Sequence, residues 1–162
     1  MKKLLIAVMA VLMLGACAQS GAIENGDKAP DFTLQTMDSG SAKSSDYSGK
    51  VVVMDFFASW CPPCRAAVPD LVELQNKYGQ GAFTVLGVSL EGPADTKKFA
   101  EKMGINYPVL IDDGRVSADY GPIRSIPTIF VIDKDAKIAN RHVGYGAGDK
   151  AKFESEIEEL LK

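Results

Sequence analysis

Residues 51–64 read VVVMDFFASWCPPC, a predicted buried strand that leads directly into a pair of cysteines. Residues 51–58 form an almost unbroken apolar, β-branched and aromatic run, which is the pattern of a parallel strand covered on both faces. Residues 62–78 then show the apolar spacing of a helix, and a glycine follows them. The sequence therefore predicts that Cys61 and Cys64 lie where a central strand gives way to a helix.

A C-x-x-C motif that opens a helix is typical of redox-active proteins. The unpaired N–H groups and the macrodipole of a helix N-terminus favour a thiolate at Cys61, and the thiolate is the attacking species in disulfide exchange. Pro62 and Pro63 stiffen the first turn, where proline is tolerated. Two intervening residues bring Cys64 back within bonding reach of Cys61. We therefore expect Cys61 to attack a substrate disulfide and Cys64 to resolve the mixed disulfide.

Two other interpretations of the cysteine pair stay open on the sequence alone. A structural zinc site needs four ligands, usually two such pairs, and the chain offers only Cys17 and His142 besides. A static disulfide is the second alternative, although such short loops at a helix start are usually reactive. The sequence favours a redox dithiol, and it predicts neither a metal nor a cofactor.

The rest of the chain alternates strand patterns with helix patterns. Further strands are predicted at residues 32–35, 83–90, 107–111, 128–133 and 137–143, and further helices at residues 94–103, 116–120 and 149–161. The last two strands are separated by three residues and should form an antiparallel hairpin. This order predicts an α/β fold with a mixed central sheet flanked by helices.

Length, composition and charge exclude several classes of protein. The chain has 162 residues, of which 46% are hydrophobic and 24% charged, as expected for a globular domain. Its formal net charge of −3 argues against a nucleic-acid partner, since such proteins usually carry a basic patch. Three cysteines are too few for a disulfide scaffold.

The N-terminus carries a predicted targeting segment. Two lysines precede an apolar run at residues 4–14, which suits a secretory signal and is shorter than the roughly 20 residues of a spanning helix. Residues 14–17, LGAC, resemble the lipobox of bacterial lipoproteins. The resemblance implies a signal peptide over residues 1–16, a lipid on Cys17 and a polar tether over residues 17–28.

The lipobox resemblance also implies a location. A lipid on Cys17 would anchor the domain to a membrane of the bacterial envelope. Because Ala18 and not aspartate follows the cysteine, the outer membrane is favoured if the organism is Gram-negative. An ordinary signal peptide with a chance cysteine is the alternative.

Three motifs together resemble the thioredoxin superfamily. DFFASWCPPC at residues 55–64 is followed by SIPT at residues 125–128, and APDFTL at residues 29–34 narrows the resemblance to the TlpA/ResA-like branch of envelope thioredoxins. The resemblance covers nearly all of residues 23–162. It implies a thioredoxin-like domain over residues 29–162, with an N-terminal strand extension and a central strand–helix insertion.

The same resemblance assigns substrate-binding residues. Pro127 matches the cis-proline that faces the active-site cysteines and, together with Ile126, helps to bind extended substrate. Trp60 matches the aromatic residue beside the reactive cysteine. With Pro62 and Pro63, Trp60 is expected to contact the substrate.

Acidic side chains complete the motif comparison. Asp55 matches the buried aspartate of thioredoxin, and burial should raise its pKa and suit it to take the proton that Cys64 loses. Many proteins of the branch carry a glutamate three residues after the second cysteine, whereas Ala67 stands here, so Asp55 is the candidate to replace it. Glu91, which follows the predicted strand at residues 83–90, is interpreted as a charge at a helix start next to Pro93, with a position near the active site as the alternative. His142 is interpreted as a surface residue.

These observations imply a membrane-anchored thiol–disulfide oxidoreductase that reduces envelope proteins, for example in cytochrome c maturation. A membrane thiol reductase would supply its electrons, and a monomer is expected. An envelope oxidase or isomerase is the alternative, because the sequence does not give the reduction potential. Copper delivery is disfavoured by the C-x-x-C spacing. A peroxiredoxin would need proline and threonine or serine where Met54 and Ala58 stand.

Overall fold

A computed structural model describes residues 23–162 of the chain. The predicted signal peptide and the lipobox cysteine Cys17 lie outside the described residues. Among the described residues, no helix is long and apolar enough to cross a membrane.

Strands and helices alternate along the described chain, as the patterns predict. The strands are β1 (Thr33–Thr36), β2 (Ser41–Lys43), β3 (Val51–Phe57), β4 (Phe83–Ser89), β5 (Val109–Ile111), β6 (Thr128–Ile132) and β7 (Ile138–Val143). The α-helices are α1 (Pro62–Tyr78), α2 (Pro93–Met103), α3 (Arg115–Asp119) and α4 (Asp149–Leu161). A single 3-10 turn, Ser44–Tyr47, follows β2.

The seven strands form one mixed sheet in the order β2-β1-β5-β4-β3-β6-β7. β3 runs parallel to β4, and β4 runs parallel to β5, while β6 is antiparallel to β3. β6 and β7 form the predicted hairpin, with a register shift between Val131 and Ile132. The structure confirms a thioredoxin-like α/β fold in which the β1–β2 extension joins the sheet through β5.

The sheet separates two apolar cores. On one face, side chains of β3 pack with α1, α4 and both cysteines of the motif. On the other face, Phe56 lies in a cluster of rings with Tyr120 and Phe130, whose centroids are 5.2–6.0 Å apart. Since both faces of β3 are covered, its seven residues are all buried, which explains the continuous apolar run in the sequence.

Two expectations about secondary structure and domain bounds differ from the structure. The sequence patterns predict no strand in residues 38–50, yet β2 lies there. β2 has three residues, of which only Ala42 is buried, so the strand is too short to show a detectable pattern. The predicted tether reaches residue 28, yet Gly26 N–H donates to the Ile138 carbonyl (2.7 Å) and Ile138 N–H donates to the Asp27 carbonyl (2.8 Å). The folded domain therefore begins before residue 29.

The surface position predicted for His142 is wrong. Its side chain is 15% exposed, and its Nε2 lies 2.9 Å from Glu156 Oε2 in α4. Its ring also packs edge-on against Phe153, with the centroids 5.0 Å apart. β7 is an edge strand, but α4 covers one of its faces, and a residue pattern does not reveal that packing.

Candidate active site

Cys61 and Cys64 lie at the junction of β3 and α1, as predicted, and they form a disulfide. Cys61 is the N-cap residue of α1, and its Sγ accepts a hydrogen bond from the Cys64 N–H at 3.3 Å. Pro62 and Pro63 occupy the first turn, where no N–H donor is lost to the helix. The helix thus directs a backbone donor at the sulfur of Cys61, an arrangement that stabilises a thiolate there.

The segment around Pro127 lies directly beside this sulfur. The Ile126–Pro127 peptide bond is cis, and the Ile126 carbonyl oxygen is 3.5 Å from Cys61 Sγ. Gly144 N–H donates to the Pro127 carbonyl at 2.8 Å, and Thr128 Oγ1–H donates to the Ser125 carbonyl at 2.7 Å. These bonds fix the backbone on both sides of the residue that faces the disulfide.

The surface around the disulfide is apolar. Trp60 is 68% exposed, so its ring is free to contact another molecule and is not part of the core. Pro62 is also exposed, and Pro63 and Ile126 are half-buried. Cys61 itself is only 3% exposed and Cys64 is fully buried. A molecule that approaches the disulfide would therefore contact mainly this apolar rim, formed by Trp60, Pro62, Pro63 and Ile126.

Asp55 is the only charged side chain among the buried residues that the structure describes. It lies on β3 between Val53 and Phe57, which belong to the same core as both cysteines, and side chains two residues apart share a face of the sheet. Its Oδ1 has no hydrogen-bond partner among the described residues. Burial raises the pKa of Asp55 to about 7, because the apolar surroundings disfavour the charged form.

Tyr107 is a neighbour of Asp55 that the sequence patterns missed. Gly87 pairs with Asp55 across β3 and β4. A Cβ at Gly87 would lie 3.0 Å from the Phe57 ring and 3.5 Å from the Tyr107 ring, so two aromatic rings occupy the space that this glycine leaves. Burial, and then the charge of Asp55, raise the pKa of the Tyr107 hydroxyl well above its ordinary value. The rings help to keep Asp55 away from solvent.

The position that holds a glutamate in many proteins of the branch holds a buried alanine in this chain. Ala67 is fully buried on α1 in the core that contains both cysteines. A carboxylate is thus absent from this turn of α1. Among residues 23–162, no group of three or more histidine, cysteine or acidic side chains is arranged to hold a metal.

Glu91 lies near the active site, which is the alternative given for it from the sequence. α2 begins at Pro93 with Gly92 as its N-cap, and the Glu91 carboxylate instead accepts two hydrogen bonds from Ser59, one from its backbone N–H and one from its Oγ–H at 3.1 Å. Ser59 lies two residues before Cys61. Glu91 therefore holds the loop that carries Trp60 and leads into α1.

A signal for this contact does exist in the sequence. Glu91 follows β4 and Ser59 follows β3, and the carboxyl ends of two parallel neighbouring strands meet at one edge of a sheet. An acidic residue after the second strand could have been placed there once β3 and β4 were assigned as neighbours.

Comparison with known proteins identifies relatives of this architecture. A family model described as the AhpC/TSA family matches residues 25–141, a range that includes both cysteines and the cis-proline. The thioredoxin-like protein YneN of Bacillus subtilis is 34% identical over 126 residues, 75% of this chain and 73% of its own length. The thiol-disulfide oxidoreductase ResA of Geobacillus thermodenitrificans is 35% identical over 119 residues, 72% of this chain and 68% of its own length.

A solved structure agrees with these relatives. The crystal structure of a putative thiol:disulfide interchange protein DsbE from Chlorobium tepidum superimposes with a TM-score of 0.82 and 38% identity. The match covers 87% of this chain and 100% of that one. The fold and the redox motif of this chain are therefore similar to those of thiol–disulfide exchange proteins.

Replacing Glu91 tests whether it positions the active-site loop. Glu91→Gln keeps one acceptor but presents an amide N–H to a donor, so we expect the oxidised protein to lose about 1–2 kcal/mol of stability. We also expect disulfide exchange at Cys61 to slow about tenfold, since misplaced reacting groups lower rates steeply. Trp60, the single tryptophan, should show lower fluorescence anisotropy.

Asp95→Asn is the matched control, because Asp95 is an exposed acid in the first turn of α2 that lies close to Glu91 in sequence. It should keep the wild-type exchange rate and anisotropy. A Glu91→Gln variant with wild-type exchange kinetics and anisotropy would show that the Ser59 contact does not position the loop.

Proposed function

The chain belongs to the AhpC/TSA family and is a thiol–disulfide oxidoreductase of thioredoxin-like fold, and we propose that it works as a disulfide reductase in the bacterial envelope. The single observation that carries the mechanism is the asymmetry of the two cysteines. Cys61 caps a helix N-terminus at an exposed apolar rim, whereas Cys64 is fully buried behind it. Because Cys61 is the less buried of the two and caps the helix, we propose that it is the sulfur that meets a substrate disulfide.

The exchange proceeds in two steps. The Cys61 thiolate attacks one sulfur of the substrate disulfide, which forms a mixed disulfide and releases the other substrate sulfur as a thiolate. Cys64 then loses its proton and attacks Cys61 Sγ, which forms the Cys61–Cys64 disulfide and releases the second substrate sulfur. Two electrons pass from the protein to the substrate, which leaves as a dithiol.

The residues around Cys61 are proposed to bind the substrate. The Ile126 carbonyl, 3.5 Å from the reacting sulfur, belongs to a segment whose backbone can run beside an extended polypeptide. Trp60, Pro62 and Pro63, the residues next to Cys61 in the chain, supply apolar surface. A contact surface of this kind favours a polypeptide over a small thiol.

Asp55 is proposed as the proton acceptor for Cys64. It lies on the same face of the sheet as both cysteines, and a carboxyl with a pKa of about 7 can accept a proton near neutral pH and release it again. Ala67 leaves no competing carboxylate on that part of α1.

Several observations support the reducing direction. The WCPPC motif resembles the reductive envelope branch, and the strongly oxidising enzymes usually carry an inserted helical domain. Here the segment between β4 and β6 holds only α2, β5 and α3. The relatives with ResA in their names are described as thiol-disulfide oxidoreductases without a stated direction, so an oxidase or isomerase is the alternative.

The cellular setting is part of the proposal. Lipidation of Cys17 would keep the domain at a membrane surface outside the cytoplasm, at the outer membrane if the organism is Gram-negative. Cysteines of apocytochrome c are a fitting substrate, and a membrane thiol reductase is a fitting electron donor. The domain would act there as a monomer.

A peroxidase function has less support, although the family includes peroxiredoxins. The positions seven and three residues before Cys61 hold Met54 and Ala58, both fully buried. Neither side chain can supply the hydroxyl that a peroxidatic cysteine uses.

The reduction potential tests the direction of electron flow. Residues 18–162, equilibrated in glutathione and dithiothreitol buffers with Trp60 fluorescence as the readout, should give a value near the roughly −270 mV of thioredoxin. Cys61→Ser should show no transition and serves as the control. A value near −120 mV, that of a strong oxidant, would instead support the oxidase alternative.

Asp55→Asn tests proton transfer. Resolution of a mixed disulfide should slow about 100-fold, while its formation keeps the wild-type rate, because the amide cannot accept the Cys64 proton. The wild-type resolution rate should rise with pH through about 7, and the variant should lack this rise. Equal resolution rates for both proteins would remove Asp55 from the mechanism.

The same substitution has a consequence for stability. Since the folded pKa of Asp55 lies above its unfolded value, ionisation destabilises the folded state as pH rises from about 4 through about 7. Wild-type oxidised protein should lose about 4 kcal/mol over that range relative to Asp55→Asn. Asp119→Asn, an exposed acid on α3, should behave as wild type in urea unfolding.

Cys17→Ala tests the anchor. If a lipid on Cys17 holds the protein, the variant should move from the membrane fraction to the soluble fraction when expressed in a bacterium with lipoprotein processing. Cys61→Ser is the matched control and should stay with the membrane. A Cys17→Ala protein that remains membrane-bound would contradict the lipobox interpretation.

A further inference from the structure

A small cationic pocket lies next to the cis-proline segment, on the side away from α1. Its volume is about 350 Å³. Two arginines line it, Arg124 from the loop before Pro127 and Arg141 from β7. No acidic side chain lines it.

Neither arginine is neutralised by a carboxylate within residues 23–162. No ion pair and no side-chain hydrogen bond joins Arg124 or Arg141 to another described residue, although acidic side chains outnumber basic ones in the chain, 21 to 18. By contrast, Arg115 and several lysines are paired with acidic neighbours. Two uncompensated guanidinium groups in one concave site attract an anion.

Arg141 packs against an aromatic ring, and its guanidinium group keeps N–H donors that no described residue uses. Its guanidinium carbon lies 5.7 Å from the centre of the Phe130 ring, and Phe130 is the residue paired with Arg141 across β6 and β7. The ring contact fixes the side chain by a cation–π interaction. The Nε of Arg141 is buried without a hydrogen-bond partner among the residues described. A planar, fixed guanidinium suits bidentate binding of a carboxylate.

The pocket is close to the reacting sulfur. Ser125 and Thr128 contribute to its wall, and they flank the Ile126–Pro127 bond. The carbonyl of Ile126 is 3.5 Å from Cys61 Sγ. A polypeptide that lies along this segment with its disulfide at Cys61 would bring a side chain from one of its neighbouring positions to the pocket.

We propose that Arg124 and Arg141 form a specificity subsite for the carboxylate of an aspartate or glutamate near the disulfide of a polypeptide substrate. The proposal rests on the function proposed above, in which the substrate is a protein disulfide. The subsite adds preference among such substrates and takes no part in the exchange itself. Charge complementarity selects the occupant, because the lining holds two arginines and no acidic side chain.

Matched disulfide peptides test the subsite. A parent peptide with one disulfide and otherwise neutral side chains is compared with variants that carry a single glutamate, or a glutamine, at each of four positions on either side of one cysteine. The reduced full chain is mixed with each peptide, and the second-order rate of its oxidation is followed by Trp60 fluorescence. At one or two positions the glutamate peptide should react about tenfold faster than its glutamine twin.

Arginine variants locate the effect. Arg124→Gln and Arg141→Gln should each abolish most of the preference for glutamate while reducing the glutamine peptides at the wild-type rate. Arg124 is exposed, so Arg124→Gln folds normally and carries the test even if loss of the Phe130 contact destabilises Arg141→Gln. Lys137→Gln is the matched control, since it removes one positive charge from the exposed hairpin turn at the far end of β7 and should keep the full preference.

The possible outcomes separate the two proposals. Equal rates for glutamate and glutamine peptides at every position would overturn the subsite and leave the reductase function standing. A preference lost equally in Lys137→Gln would assign the effect to overall charge and also overturn the subsite. If the wild-type protein reduces none of the peptides, both proposals fall.

Discussion

The structure depends on the point where β3 ends and α1 begins. β3 is buried on both faces in the middle of the sheet, so its neighbours fix both its direction and the point at which it ends. Because β4 runs parallel to β3 and β6 runs antiparallel to it, the end of β4 and the start of β6 lie beside that same point. Glu91 follows β4 and Pro127 precedes β6, so the strand order alone brings both to the loop that carries Cys61.

The buried carboxyl of Asp55 is the feature that conflicts most with stable packing. A polar group without a partner in an apolar core is destabilising, and its neighbours Tyr107 and Phe57 increase its isolation from solvent. The same isolation gives the group a pKa useful for proton transfer near neutrality. Stability and the proposed proton transfer are therefore opposed at this one position of β3.

Local patterns in the sequence predict the elements well and the contacts between them poorly. The bounds of α1 follow from a run of residues that are neighbours in the chain, with proline at one end and glycine at the other, and they are confirmed to the residue. His142 was misplaced, and the contact of Glu91 with Ser59 was not foreseen, because the partners Glu156 and Ser59 belong to other parts of the fold. A residue pattern records which side chains avoid water, but it does not record which element covers them.

The short strand β2 and the pocket between Arg124 and Arg141 were missed for related reasons. β2 has a single buried residue, so its sequence shows no repeated alternation of apolar and polar residues. The two arginines are 17 positions apart and meet only because the β6–β7 hairpin folds back beside the cis-proline segment. Pro127, by contrast, could be found early, since its motif is local in the chain.

The β6–β7 hairpin also affects how readily copies of the protein aggregate. β7 is the last strand of the sheet. Its first residue, Ile138, bonds on its outer side to the backbone of Gly26 and Asp27, whereas the rest of that edge is open among the described residues, and open edges invite strand pairing between molecules. The register shift between β6 and β7 interrupts the regular ladder, and Arg141 puts a charged side chain on the strand, and both features disfavour pairing with a further strand. Such an edge is a poor template for aggregation between copies of the domain.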